Sequence, residues 1–257
     1  PMGSTEVGSR SAPHALMAAL PGEGELLLSK LQDKQIILKG DFEIHTGKIA
    51  GNQVLLAFSG LGKINAAAAA ATILASFPVS RLWMWGSAGA YPHTDVELNE
   101  LALASEEILG DEGVATLSSW QPIDVIGIPL AQTAEGPIFN RIPVDRLELE
   151  RARRLLSEWQ PDSAAAQIHE GTFVTVSGVS GSLAQARLLG DRFGALCENM
   201  EGAAVAHVCL RYQVVFLELR GLSNWAGDRN KKRWQLAEAL DNCQRAVLYL
   251  LENWEKV

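Results

Sequence analysis

Apolar and polar positions along this chain change their period repeatedly, and the pattern predicts strands and helices in alternation. His14–Leu20 predicts a first strand, and Glu23–Leu31 predicts a helix with its leucines on one face. Further strands are predicted at Ile36–Leu38, Phe42–Ile49, Gln53–Phe58, Arg81–Trp85, Leu98–Ile108, Gly171–Ser177 and Val214–Leu219. Further helices are predicted at Ile64–Phe77, Arg146–Trp159, Leu183–Phe193, Asn199–Tyr212 and Trp234–Trp254.

The order of these elements indicates the fold class. Because strands alternate with helices and neither a repeat nor a linker interrupts them, the sequence predicts one α/β domain over residues 13–257. We expect three α/β/α layers, with a central mixed, twisted β-sheet flanked by helices. Residues 1–12 are polar, and we expect either a disordered leader or an artificial remnant of cloning. Residues 110–145 show little periodicity and predict a long insertion over one edge of the domain.

Charge and composition limit the possible partners. The 257 residues include 30 acidic and 22 basic side chains, which gives a formal net charge of −8. A polyanion-binding protein normally shows the opposite balance, so we expect neither nucleic acid nor a membrane as a partner. No apolar run reaches the roughly 18 residues that a membrane span requires. Three cysteines without C-x-x-C spacing and five scattered histidines predict reduced thiols, a cytoplasmic location and no metal site.

Two glycine-containing segments are candidates for ligand binding. Ser59–Lys63 and Gly86–Gly89 are predicted turns at the carboxyl ends of strands, where open α/β sheets bind ligands. Both offer backbone N–H groups and little side-chain bulk. Neither matches the glycine patterns of dinucleotide or ATP sites. From the residues alone, a tight turn that needs a positive φ angle also explains each segment.

Two polar segments complete the set of candidates. Glu198–Gly202 is predicted to open a helix, where the helix dipole favours acidic groups. Arg220–Asn224 follows directly after the predicted strand Val214–Leu219, at a place where core packing does not require polar side chains. The second segment therefore indicates a functional site more strongly than the first.

Taken together, these segments resemble a known family. The purine nucleoside phosphorylase and nucleosidase superfamily shares the order and spacing of Gly60-x-Gly62-Lys63, Gly86-Ser87-Ala88-Gly89, Asn199-Met200-Glu201-Gly202 and Arg220-Gly221-Leu222-Ser223-Asn224. Its futalosine hydrolase branch is most similar in Val179-Ser180-Gly181-Ser182, Glu198-Asn199-Met200-Glu201, Ser223-Asn224, Gly227-x-Arg229 and Trp234. The resemblance runs from about Ala15 to the C-terminal helix, and it implies a nucleoside phosphorylase-like fold.

The resemblance also implies an activity, the hydrolysis of a purine nucleoside at its N-glycosidic bond without a cofactor. In this scheme Glu201 accepts hydrogen bonds from the ribose hydroxyls and stabilises positive charge on the sugar, while Met200 packs against the sugar. Asn224 contacts the base, at a position where adenine-specific nucleosidases of the family carry Asp. An amide can donate toward a 6-oxo group, so Asn224 implies a hypoxanthine-type base. The other implied substrate contacts are Gly62, Ser87, Ala88, Gly89, Gly181, Ser182, Asn199 and Arg229.

The carboxylate that activates water has two candidates. Relatives place a Glu just after the first strand, where this chain has both Glu23 and Glu25. Glu23 matches the family better, because the leucines that follow it then repeat the family's apolar spacing. We therefore assign Glu23 as the general base, which must lie within about 3 Å of the attacking water, and keep Glu25 as the alternative.

The same resemblance distinguishes water from phosphate as the acceptor. Phosphorylases of this type carry an Arg shortly before the second glycine segment, whereas Leu82–Trp85 contains no cation. Phosphate sites usually recruit Arg or several backbone donors, so water is the expected acceptor. The primary expectation is hydrolysis of futalosine to hypoxanthine and dehypoxanthine futalosine, in menaquinone biosynthesis. The alternatives are a methylthioadenosine/adenosylhomocysteine nucleosidase, a purine nucleoside phosphorylase and a non-catalytic ligand-binding protein.

Two further expectations concern the substrate's 5′ end and the assembly. Arg229 lies in the basic loop Gly227–Arg233, which we expect to meet the carboxylate of futalosine's aromatic 5′ extension. The family relatives are dimers or larger, so the resemblance also implies a homo-oligomer.

Overall fold

The computed structural model of the protein describes residues 12–160 and 167–256. The predicted leader lies outside these ranges except for Ala12. Among the described helices, none has both the length and the apolar character needed to cross a membrane.

The described residues form fourteen strands and six α-helices. In chain order the strands are β1 (His14–Ala18), β2 (Gln32–Lys39), β3 (Phe42–Ile49), β4 (Asn52–Phe58), β5 (Arg81–Ala90), β6 (Leu101–Leu109), β7 (Gly113–Ala115), β8 (Trp120–Pro122), β9 (Ala131–Gln132), β10 (Pro137–Ile138), β11 (Arg141–Pro143), β12 (Ile168–Thr175), β13 (Cys197–Asn199) and β14 (Val215–Trp225). The helices are α1 (Glu25–Lys30), α2 (Lys63–Ser76), α3 (Arg146–Glu158), α4 (Leu183–Phe193), α5 (Gly202–Tyr212) and α6 (Leu236–Asn253).

Ten of these strands build one mixed sheet, as predicted. Its order is β11-β6-β12-β13-β5-β1-β4-β3-β2, and β14 pairs with both β5 and β6. The central strands β1, β4, β5 and β14 run parallel, whereas β3 is antiparallel to its neighbours β2 and β4. The carboxyl ends of β1, β5 and β14 therefore meet at one edge of the sheet, the usual position of ligand sites in such folds.

Helices cover both faces of this sheet, which confirms the predicted three layers. Alternate residues of β5 point to opposite sides, so Leu82 and Met84 pack in a cluster with alanines of α2 and α5. Trp83 and Trp85 pack on the other side, in a cluster with residues of α1, α3 and α6. Several alanines of α2 are buried in this first cluster, and their small side chains allow the helix to pack closely.

Three local predictions at the site edge of the sheet are wrong, and for one reason. Gly86–Gly89 is not a turn, since β5 continues to Ala90 and pairs with β14 along its whole length. Arg220–Asn224 lies inside β14 rather than after it, with a register shift between Leu222 and Asn224. Helix α5 begins at Gly202 instead of Asn199, because residues 197–199 pair with β12 and β5. In each case a strand partner distant in sequence extends the ladder.

The other turn predictions agree with the structure. Gly60 and Gly62 both have positive φ angles, of 85° and 91°, in the turn between β4 and α2. Ala50 and Gly51 also have positive φ angles and join β3 to β4 as a two-residue hairpin turn. The segment at residues 110–145 contains two small two-stranded sheets, and its last strand, β11, pairs with β6 in the main sheet.

Candidate active site

A cavity of about 890 Å³ opens at the carboxyl ends of β1, β5 and β14. This volume lies within the range of small-molecule sites. The lining residues are Ala19, Leu20, Gly22, Glu23, Leu61, Ser87, Ala88, Gly89, Val179, Glu198, Asn199, Met200, Glu201, Arg220, Ser223, Asn224, Arg229, Lys231, Trp234, Leu236, Ala237 and Leu240. Segments that are far apart in sequence thus contribute to one concave surface.

Glu23 lies at the end of a short 3₁₀ turn that follows β1. Its Oε2 atom accepts the backbone N–H groups of Ala19 and Leu20, at 3.1 and 2.9 Å. The indole N–H of Trp85 on β5 donates to the Glu23 carbonyl at 2.7 Å and ties this turn to the sheet. Burial raises the pKa of the Glu23 carboxyl, and the nearby charge of Arg220 opposes that rise. A hydrogen bond from the backbone N–H of Ser87 opposes the rise of this pKa as well. An ionised carboxylate has lone pairs beyond these bonds, which suits a general base.

The absence of a side chain at Gly86 makes room for this arrangement. A Cβ atom there would lie 2.7 Å from Nη1 of Arg220 and 3.2 Å from Oε1 of Glu23. Gly86 has no positive φ angle. Glycine is therefore needed at position 86 because a side chain would collide with Arg220 and Glu23, and not because the backbone needs a positive φ angle.

Glu201 and Arg220 line the cavity beside Glu23. Oε1 of Glu201 accepts the backbone N–H of Gly62 at 2.9 Å, which connects the turn before α2 to the site. Oε2 of Glu201 lies 3.4 Å from Nη2 of Arg220. Arg220 also donates from Nη1 to the carbonyl of Ser87 at 3.1 Å. One buried guanidinium thus lies between the two carboxylates that the sequence singled out.

Asn199 supports the start of α5. Its Oδ1 atom accepts the backbone N–H groups of Glu201 and Gly202, at 3.0 and 2.8 Å, and the hydroxyl of Thr175 at 2.9 Å. These bonds satisfy N–H groups that the beginning of a helix leaves free. They also hold Met200 and Glu201 against the cavity.

Asn224 lies opposite Gly89 at the register shift of β14. Its Oδ1 accepts the hydroxyl of Ser223 at 2.8 Å, and its Nδ2 donates to the carbonyl of Trp225 at 3.0 Å. An amide nitrogen has two protons, so one remains for a ligand. A Cβ at Gly89 would lie 3.4 Å from Nδ2 of Asn224, in van der Waals contact with this amide.

Comparison with known proteins agrees with this geometry. The family model of the phosphorylase superfamily matches residues 13–252. The chain belongs to this superfamily. A futalosine hydrolase from Thermus thermophilus is 39% identical over 194 residues, which cover 75% of this chain and 79% of that protein. A 5'-methylthioadenosine/S-adenosylhomocysteine nucleosidase from a Geobacillus species is 25% identical over 245 residues, covering 94% of this chain and 99% of its own.

The fold is shared with solved nucleosidase structures. The 5'-methylthioadenosine/S-adenosylhomocysteine nucleosidase from Neisseria meningitidis, solved with methylthio-immucillin-A, superposes with a TM-score of 0.80. That alignment covers 94% of this chain and 99% of the other at 24% identity. This member of the phosphorylase superfamily is therefore a nucleosidase, which hydrolyses the N-glycosidic bond of a nucleoside.

The structure brings most of the predicted site residues of the nucleosidase together. Glu23, Ser87, Ala88, Gly89, Asn199, Met200, Glu201, Asn224 and Arg229 all line the cavity. Gly62 is not among the lining residues, but its N–H donates to Glu201. Gly181 and Ser182 are not among the lining residues, and Ser182 caps α4 by accepting the N–H of Gln185. Their predicted roles in substrate binding stay predictions.

Glu198 is a site residue whose importance sequence reasoning missed. Its position in the sequence predicts a favourable charge at a helix start, but Glu198 lies on β13 and lines the cavity. Its two oxygens accept the N–H and the hydroxyl of Ser180, at 2.9 and 2.7 Å. Burial raises the pKa of the Glu198 carboxyl, and hydrogen bonds from Ser180 and Tyr91 oppose the rise. The preceding motif Val179–Ser182 was the available signal, because it supplies the partner of this carboxylate.

Proposed function

We propose that this nucleosidase acts on futalosine and releases hypoxanthine and dehypoxanthine futalosine. The name of the Thermus thermophilus relative supports this substrate. The observation that carries the proposal is the pair of Glu198 and Asn224 on either side of Gly89. Glu198 pairs with Gly89 across the β13–β5 ladder, and Asn224 pairs with it across the β14–β5 ladder.

This pair matches the hydrogen-bonding edge of a 6-oxopurine. Hypoxanthine offers a donor at N1 and acceptors at O6 and N7, whereas adenine offers an acceptor at N1 and a donor at its amino group. An ionised Glu198 only accepts, so it suits N1–H, while the spare Asn224 proton suits O6 or N7. Adenine in the same position would place acceptor against acceptor, and unpaired buried polar groups weaken binding strongly.

The other side chains fit the steps of hydrolysis. In our proposal Glu23 takes a proton from water as the water oxygen bonds to C1′ of the ribose. The C1′–N9 bond breaks, its electron pair leaves with the purine, and Asn224 stabilises the departing base by a hydrogen bond. The departing purine anion then takes a proton from solvent water, and Glu23 returns to solvent the proton that it took, so that neutral hypoxanthine is released. Glu201 holds the ribose hydroxyls, and its negative charge stabilises the positive charge that develops on the sugar.

Arg229 is our candidate for binding the carboxylate of the 5′ extension. Its guanidinium lies over the ring of Trp234, 5.2 Å from the ring centre, at the cavity wall. The indole N–H of Trp234 donates to the Asp228 carbonyl at 3.0 Å and fixes the ring. A guanidinium stacked in this way keeps its N–H edge free for a planar carboxylate.

A methylthioadenosine/adenosylhomocysteine nucleosidase activity is the second candidate. It is favoured by the Geobacillus relative, which aligns over 94% of this chain. It would require the site to accept adenine, in spite of an Asn and a carboxylate at the base.

Assays of the purified protein with futalosine, methylthioadenosine and adenosylhomocysteine separate the two candidates. We expect hypoxanthine release from futalosine at a rate that added phosphate does not change, and little adenine from the other substrates. Efficient adenine release with inert futalosine would overturn the proposal.

A Glu198→Gln variant tests the observation directly. Because an amide can present either a donor or an acceptor to N1, we expect the ratio of kcat/KM for futalosine over methylthioadenosine to fall by about 10-fold to 100-fold. Glu148→Gln is the matched control, since Glu148 is a buried carboxylate outside the cavity. An unchanged ratio in Glu198→Gln would remove this residue from base recognition.

A further inference from the structure

Two fully buried carboxyl groups lie beside Arg220 and have no part in the steps above. Glu218 on β14 and Glu107 on β6 are each 0% exposed, and Arg220 is 1% exposed. Oε1 of Glu218 accepts the Nε–H of Arg220 at 2.5 Å. The guanidinium that reaches Glu201 and Ser87 with its two Nη atoms is thus held at its third nitrogen by Glu218.

The start of α5 is built around the Glu218 carboxyl. A Cβ atom at Gly202 would lie 2.0 Å from Oε2 of Glu218, so only glycine leaves space for that oxygen. Gly202 directly follows Glu201 in the motif that opens α5. The same backbone segment therefore carries the ribose-binding candidate and accommodates Glu218.

The carboxyl oxygens of this pair outnumber the donors around them. Within the described residues, no donor makes a hydrogen bond to either Glu107 oxygen or to Oε2 of Glu218. A buried carboxylate without donors takes up a proton rather than remaining charged. Burial and the neighbouring Glu218 raise the pKa of Glu107 well above its usual range. A carboxyl proton on Glu107 supplies the missing donor for the free oxygen of Glu218.

The surrounding charged groups fit one neutral and one ionised carboxyl. The charges of Arg220 and Glu106 also act on Glu107: Arg220 favours its ionised form, and Glu106 opposes it. The Cys197 thiol on β13 stays neutral, because its pKa is raised well above the usual range. Burial is the main cause of this rise, and the negative charge of Glu218 is the second. Burial alone would lower the pKa of Arg220, but the carboxylates around it, Glu218 foremost, raise that pKa.

We propose that Glu218 is a positioning residue, whose carboxylate, hydrogen-bonded by a proton held on Glu107, fixes Arg220 against Glu201 and Ser87. Glu218 acts on the reaction only through Arg220. It sets where the guanidinium lies and offsets part of the positive charge that Glu23 and Glu201 meet. The inference requires nucleosidase activity but not a particular base, so it does not depend on futalosine being the substrate.

Paired glutamine variants test this assignment, because the two carboxyls should respond in opposite ways. The assay uses futalosine or methylthioadenosine, whichever the wild-type enzyme cleaves. In Glu218→Gln the side chain keeps its shape and loses its charge. We expect kcat to fall by about 10-fold to 100-fold, with a smaller change in KM. We also expect the acid limb of the pH–rate profile to move to lower pH, because the uncompensated Arg220 favours ionised Glu23.

Glu107→Gln is the matched variant. Its amide can donate to Oε2 of Glu218 as the carboxyl proton does, so kcat should stay within about 2-fold of wild type and the acid limb should not move. A Glu107→Gln variant as impaired as Glu218→Gln, or a Glu218→Gln variant with unchanged kcat and pH profile, would overturn the proposal.

Infrared spectroscopy keeps the proposal testable even where Glu218→Gln does not fold. The wild-type protein at neutral pH should show the carbonyl stretch of a protonated carboxylic acid, and Glu107→Gln should lose that band. Identical spectra of wild type and Glu107→Gln in this region would contradict a proton held on Glu107.

Discussion

Two glutamates that lie two positions apart near the N-terminus have opposite environments. Glu23 is buried, accepts two backbone N–H groups and lines the cavity. Glu25 is exposed in the first turn of α1. The family resemblance left the water-activating role open between them. The structure supports Glu23, because of these two glutamates it is Glu23 that lines the cavity.

We expect Glu23→Gln to lower kcat by about 10²-fold to 10⁴-fold, the usual contribution of a general base. Glu25→Gln should leave kcat and KM unchanged. As a base, Glu23 acts in its ionised form, and its pKa is raised. Wild-type activity should therefore fall with decreasing pH at a value above the ordinary pKa of glutamate. Equal losses of kcat in both variants would remove the distinction between the two residues.

At the scale of elements, strand pairing assembles the site from segments distant in sequence. β14 brings Arg220 and Asn224 beside β5, and β13 brings Glu198 to the other side of Gly89. Helix α5 packs against β14 and requires Gly202 at its first turn, where Glu218 lies. Element boundaries and site geometry are therefore coupled here.

This coupling reverses a general rule for Gly202→Ala. Alanine is the better helix former by about 1 kcal/mol. At this position, however, the new methyl group would displace the Glu218 carboxyl, so we expect a loss of about 1–3 kcal/mol in the free energy of unfolding. Urea denaturation measures the change. Gly178→Ala, which meets no atom within 4 Å, is the control, and a Gly202→Ala protein more stable than wild type would contradict the packing argument.

At the scale of the whole molecule, buried ionisable groups make stability depend on pH. Burial raises the pKa of Glu23, Glu107, Glu148 and Glu198 and lowers that of His14 to about 4. A raised carboxyl pKa means that, at pH values between the unfolded and the folded pKa, the folded protein keeps a proton that the unfolded chain releases. The stability from that proton is complete below the unfolded pKa, and is lost as pH rises toward the folded pKa.

Association of this chain with copies of itself stays a prediction.

The comparison of Glu107→Gln with wild type isolates one of these groups. Glutamine does not titrate, and the other groups are common to both proteins. Above the ordinary glutamate pKa of about 4.3, we expect the free energy of unfolding of Glu107→Gln relative to wild type to rise by about 1.4 kcal/mol per pH unit. Chemical denaturation at several pH values between about 5 and about 8 measures this slope. A difference that does not change with pH would show that Glu107 titrates normally.

The sequence by itself determined the alternation of strands and helices, the three-layer class and most residues of the site. Local signals suffice for these, because periodicity, glycine turns and clustered polar motifs are properties of short segments. It could not determine that β5 and β14 continue through their polar ends, that Glu198 faces the cavity, or that Glu107 and Glu218 meet beside Arg220. Those features depend on pairing between strands more than one hundred residues apart, such as β5 with β14. Only the tertiary structure decides which carboxyl groups share one buried cation.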